Sequence, residues 1–148
     1  MLKLFIVNSA IIALVVFVHY EFLHWANQLM PKLHLRHRAR MLFGVFSALL
    51  AHIIEVWIFA IAYYLMDRTP GWGSMGGDYD GSVFSSVYLS FASYTTLGIG
   101  DIVPLGHLRF LVALESLTGF VLITWTASFL YLEMTRNWHH NSASGEER

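Results

Sequence analysis

Three stretches of this chain, Leu2 to Val18, Met41 to Met66 and Gly106 to Met134, are apolar with few interruptions. A helix of about 20 such residues crosses the hydrocarbon of a bilayer. The first run is shorter by itself, but helix-compatible sequence continues through His19 to Trp25. Apolar residues make up 56% of the chain, more than a soluble domain of 148 residues can enclose in a polar shell. The formal net charge of −1 points to neither nucleic acid nor an acidic ligand, and the lack of cysteine removes disulfides and thiolate metal sites. A membrane protein is the class that fits.

The first run competes between a signal peptide and a retained helix. No small-x-small cleavage site follows it, so residues 1–30 are read as a membrane helix. Residues 31–40 form a basic loop carrying Lys32, Arg36, Arg38 and Arg40. Short basic loops stay in the cytoplasm, which sets the N-terminus outside and the C-terminus inside. The same cluster could also hold anionic lipid headgroups. It is no voltage sensor, because gating arginines recur every third residue on an apolar helix. Residues 41–66 give the second helix, with Tyr63 and Tyr64 as an interfacial belt. A glycine- and aspartate-rich external loop, 67–82, comes after it.

Residues 83–94 are apolar yet too short to span, which suits a re-entrant helix buried by protein. Next comes Thr95-Thr96-Leu97-Gly98-Ile99-Gly100-Asp101. Alternating glycines let the backbone take positive φ at every second residue, turning successive carbonyls to one side. This stretch resembles the selectivity filter of the potassium-channel pore-domain family, T-x-G-[YF]-G-D. The resemblance covers roughly residues 41–134. It implies an outer helix (41–66), a re-entrant pore helix (83–94), a filter (95–101) and an inner helix (106–134), assembled as a fourfold homotetramer. With the first helix, which lies outside the resemblance, the expected fold is an all-α membrane protein with three membrane helices. A polar cytoplasmic tail, 135–148, would complete the chain. One chain supplies one filter strand, and a ring of carbonyls needs four.

By the same resemblance, Thr96, Leu97, Gly98 and Ile99 offer carbonyls to dehydrated potassium ions, and Gly100 completes the mouth. Thr95 and Asp101 support the strand. Ile99 stands where the family has tyrosine or phenylalanine, and Leu97 where valine or isoleucine is common. The bracing tryptophan of many relatives falls at Leu89, and the glutamate behind the filter aspartate falls at Ala92. Apolar packing of Ile99 on Leu89 is expected instead, and a weakly selective sodium/potassium pore is the alternative function. Gly119 sits at the hinge position, and Phe120, Ile123, Ala127 and Tyr131 come after it at helical spacing as a cavity stripe. Glu115, one turn before Gly119, lies at hydrocarbon depth and should bond to Ser93, Tyr94 or Thr95 as a tether or proton-sensing gate.

His52 and Glu55 share a face of the second helix, and the antiparallel first helix brings His19 to a similar depth, with Glu21 and His24 nearer the cytoplasm. Three readings stay open for this group: interhelical pairing, a proton sensor, or a metal site. No nucleophile–base pair or phosphate loop stands in a usable context, so no enzyme and no organic cofactor are expected. More distant alternatives are a membrane metalloprotein and a regulatory subunit of a larger channel. The expected location is the cell membrane of a prokaryote-like source.

Overall fold

A computed structural model gives the structure of residues 2–29 and 37–143, and side-chain surroundings for all of these except 37, 38 and 136–143. Lys32, Arg36 and the Arg38 side chain therefore lie outside the described residues, while Arg40 is half-buried in the first turns of the second helix.

The element order is α1 (Leu2–Leu29), α2 (His37–Asp67), β1 (Ser74–Gly77), α3 (Val83–Tyr94), β2 (Ile102–Leu105) and α4 (Leu108–Ala143). Helices α1, α2 and α4 are long and apolar enough to cross a membrane. Helix α3 has only twelve residues and packs between α2 and α4, while α1 lies against α2 and, less extensively, α4. The buried positions of α1, Asn8, Val15, His19, Leu23 and Ala26, recur every three, four or seven residues as one stripe. That stripe meets a core containing Val56, Phe59 and Tyr63 from α2, Tyr94 from α3, and Leu111 and Leu122 from α4.

Element boundaries differ from the sequence reading in three places. Helix α2 begins at His37 inside the basic segment, because arginine and alanine at 38–40 are good helix formers and no breaker intervenes. Helix α4 continues to Ala143, through residues read as a polar tail, since neither glycine nor proline occurs there before Gly145. The loop read as external is not wholly irregular: β1 and β2 pair antiparallel, with Ser74 opposite Leu105 and Gly77 opposite Ile102. Gly77 takes φ +73° and a Cβ there would strike the carbonyl oxygen of Asp101, so only glycine lets the ribbon close. The ribbon thus binds the loop before α3 to the chain just after residue 101.

Helix α3 has a defined start. Ser82 Oγ accepts from the Ser85 amide at 3.0 Å, and Asp80 Oδ1 accepts from the Ser82 amide at 2.9 Å and from the Ser85 hydroxyl. These bonds hold the Asp80 carboxyl down at about 2, against an ordinary 3.8. Arg68 lies 3.5 Å over the Tyr64 ring and donates to the Gly81 carbonyl at 2.7 Å, joining the end of α2 to the α3 cap.

Candidate functional site

Helix α3 ends at Tyr94, and its last turn ties down residues 95–98. The Thr95 amide donates to Phe91 O, Thr96 N donates to Ser93 O at 2.9 Å, and Gly98 N donates to Ala92 O at 3.0 Å. Thr96, Gly98 and Gly100 have φ of +58°, +57° and +87°, whereas Leu97 and Ile99 do not take positive φ. Thr96 is the one described non-glycine residue with positive φ. For a β-branched residue that conformation costs roughly 1–2 kcal/mol, so the hydrogen bonds from α3 must over-determine it.

The result is a short strand of alternating hand whose amides are held by α3. Among the described residues, no carbonyl oxygen from Thr96 to Gly100 accepts a hydrogen bond. The side chains of Leu97 and Ile99 are 68% and 55% exposed in the single chain, and a Cβ on Gly98 would meet nothing within 4 Å. An apolar strand with bare carbonyls requires company, because unsatisfied backbone groups are costly away from water.

Leu89 and Ala92 are buried in the body of the chain, so Leu89 belongs to the core while much of Ile99 stays exposed. Asp101 finds a partner that the sequence reading missed. Tyr88 Oη donates to Asp101 Oδ2 at 2.7 Å and the Ile102 amide donates to Oδ1 at 2.9 Å, which lowers the Asp101 carboxyl below its ordinary range. The signal lay in an exposed phenol about a turn and a half before the end of α3.

Glu115 is fully buried, but its partners are Tyr63 and Ser90, not Ser93, Tyr94 or Thr95. Ser90 also reaches the Val56 carbonyl at 2.9 Å. The crossing of α4 on α3 lies a turn farther from the strand than expected. Tyr63 therefore serves the interior and is no part of an interfacial belt; Tyr64 alone is half-exposed. Gly119 is a contact point: a Cβ there would collide with the Tyr94 carbonyl oxygen and crowd its ring. Phe120, Ile123, Ala127 and Tyr131 form an exposed face of α4. A second exposed face carries Phe110, Leu117, Val121, Trp125 and Leu132, turned by about 120° from the first at 100° per residue.

The histidine cluster assembles in part. His19 Nδ1 lies 2.9 Å from Glu55 Oε1, and His52 Nδ1 lies 3.1 Å from Oε2. Tyr94, the last residue of α3, bonds to Glu55 and lies 2.9 Å from His52 Nδ1. Thr126 Oγ1 stands 3.4 Å from His19 Nε2 and 3.2 Å from His52 Nε2. Glu21 and His24 do not join: both are exposed, with His24 bonded to Gln28 at 2.7 Å and stacked on Tyr20. Thr126 was legible in principle, since it lies eleven residues after Glu115 and seven after Gly119, on one helical face.

No curated protein matches the chain. Residues 51–136, more than half of its length, match the family model described as Ion channel. The match runs from the middle of α2 through α3 and the 95–101 strand into α4, and leaves α1 outside. The chain belongs to the ion-channel family of two-helix, potassium-channel-type pore domains.

Proposed function

We propose that four copies of this chain surround an axis and pass potassium down its gradient through the carbonyls of Thr96, Leu97, Gly98 and Ile99. The observation that carries this reading is the strand of alternating φ, held through its amides by α3 and offering unpartnered carbonyls on an exposed apolar edge. Rings of such carbonyls replace the hydration shell of a monovalent cation, and repulsion between adjacent ions moves them on. Gly100 and Asp101 form the outer mouth, Thr95 and α3 support the strand, and Glu115 tethers α4 behind it. The α3 C-terminus bears partial negative charge and favours a cation below the strand. Phe120, Ile123, Ala127 and Tyr131 line the cavity, which an apolar constriction near Tyr131 closes by dewetting. Helix α1 starts outside, and the basic residues between α1 and α2 face the cytoplasm and its anionic lipids.

Purified chain reconstituted alone into liposomes tests the proposal. Potassium flux without any partner is expected; none would make the chain a regulatory subunit. Bi-ionic reversal potentials then decide selectivity. Substituting external sodium for potassium should shift reversal by tens of millivolts, and a shift near zero would give the weakly selective sodium/potassium pore.

A further inference from the structure

The groups that meet behind Tyr94 are one positive centre short. With Glu55 ionised, Tyr94 and Thr126 neutral, and one proton on each imidazole, four hydrogens must serve six close pairs. If both rings carry the proton on Nδ1, two Nε2 lone pairs face Thr126, which has one hydrogen to give. If both carry it on Nε2, Thr126 can accept twice, but two bare Nδ1 atoms face the carboxylate. Of the two mixed cases, one leaves Tyr94 with one hydrogen for both His52 Nδ1 and Glu55, and the other leaves a bare His19 Nδ1 facing the carboxylate. Each arrangement also leaves a net negative charge where His19 and Glu55 are 0% exposed, an expensive state without a counter-ion.

We propose that His19, His52 and Glu55 bind a divalent transition-metal ion of the zinc type, through the two Nδ1 atoms and the carboxylate. Their ligand atoms all lie within 4.8 Å of one another. The nitrogen–oxygen separations of 2.9 and 3.1 Å approach the edge of about 3.3 Å in a tetrahedron with zinc-ligand bonds. The Tyr94 oxygen, its proton released to solvent as the ion binds, can complete four-coordination and bring the site to zero net charge, and imidazole with carboxylate is a donor set that suits zinc. Thr126 supplies the orientation that ligating histidines need: its oxygen accepts from both Nε2–H groups and leaves both Nδ1 lone pairs directed at the ion. One added proton would also settle the count, but it would make the two rings unlike. Both rings turn Nδ1 to Glu55 and Nε2 to Thr126, and His52 Nδ1 also meets Tyr94 at 2.9 Å, so the two Nδ1 atoms and the phenol oxygen face the same point beside the carboxylate.

The experiment uses the full chain, purified in detergent with any affinity tag removed, loaded with Zn²⁺ and dialysed against buffer. Mass spectrometry of metal content should find about one zinc per chain. A His19→Ala/His52→Ala double variant sets the background from the other histidines and should retain less than about a tenth of that. Thr126→Val should keep the stoichiometry but weaken affinity about 10- to 100-fold. Wild-type chain loaded with Co²⁺ needs no variant and should show the intense visible absorption of a four-coordinate site. Wild-type zinc at background, zinc retained in the double variant, or a weak octahedral cobalt spectrum would each overturn the proposal. None of these readouts requires ion conduction, so they stand apart from the flux assay.

Discussion

Gly119 and Tyr94 touch backbone to backbone, and no methyl group fits between them. Gly119→Ala should push α4 off the end of α3 and cost about 1–3 kcal/mol, as overpacking does. The midpoint of thermal unfolding in detergent should fall, and ion flux should fall with it. Asp80 offers a check of opposite kind, at the chain surface. Its carboxyl sits at about 2 because the Ser85 and Ser82 donors stabilise the anion. With the folded group depressed below 3.8, its contribution is complete above about pH 4 and vanishes as pH falls through 2. Asp80→Asn should flatten that part of the stability–pH curve by lowering the neutral plateau, while stability below about pH 2 stays unchanged. Tyr88 and Asp101 were harder to foresee as partners. A phenol on a short apolar helix reads as packing, and only the fold of residues 95–101 brings the carboxylate under it.

At the scale of elements, length and apolar content make α1, α2 and α4 visible in the sequence, and shortness makes α3 stand out. Alternating glycines give away the strand after α3, although the positive φ at Thr96 is held by its own amide on Ser93 and by the Gly98 amide on Ala92. The β1–β2 ribbon was hidden, because four residues with two glycines carry no strand propensity and the register depends on Asp101 arriving from elsewhere. Depth was hidden too. Sequence shows that Glu115 must find a partner but not at which turn of α3 it crosses, so Ser90 and Tyr63 emerge only from packing. For α1 the pairing of His19 with Glu55 was legible from matching depth on antiparallel helices, while the rest of its buried stripe emerges only from packing. The Ser82 cap of α3 is a local feature, and Ser82→Ala should cost about 1 kcal/mol, read as a lower unfolding midpoint with unchanged selectivity.

For the whole molecule, the single chain leaves two faces of α4 and the 95–100 edge uncovered. In the proposed ring, the 120/123/127/131 face and the 95–100 edge would turn to the shared axis, and the second face of α4 would meet a different patch of the next copy, the head-to-tail arrangement of cyclic symmetry. Mass measurement of the detergent-solubilised particle should give four chains, and a dimer would remove the proposed carbonyl rings altogether. An arrangement in which every copy contributes a quarter of one shared passage also has a genetic corollary. Co-expression of equal amounts of intact chain and a Gly98→Ala chain, blocked in the strand but sound elsewhere, should leave only about one assembly in sixteen free of the defect. Residual current near that fraction, and not near one half, is the signature of a passage no single copy owns.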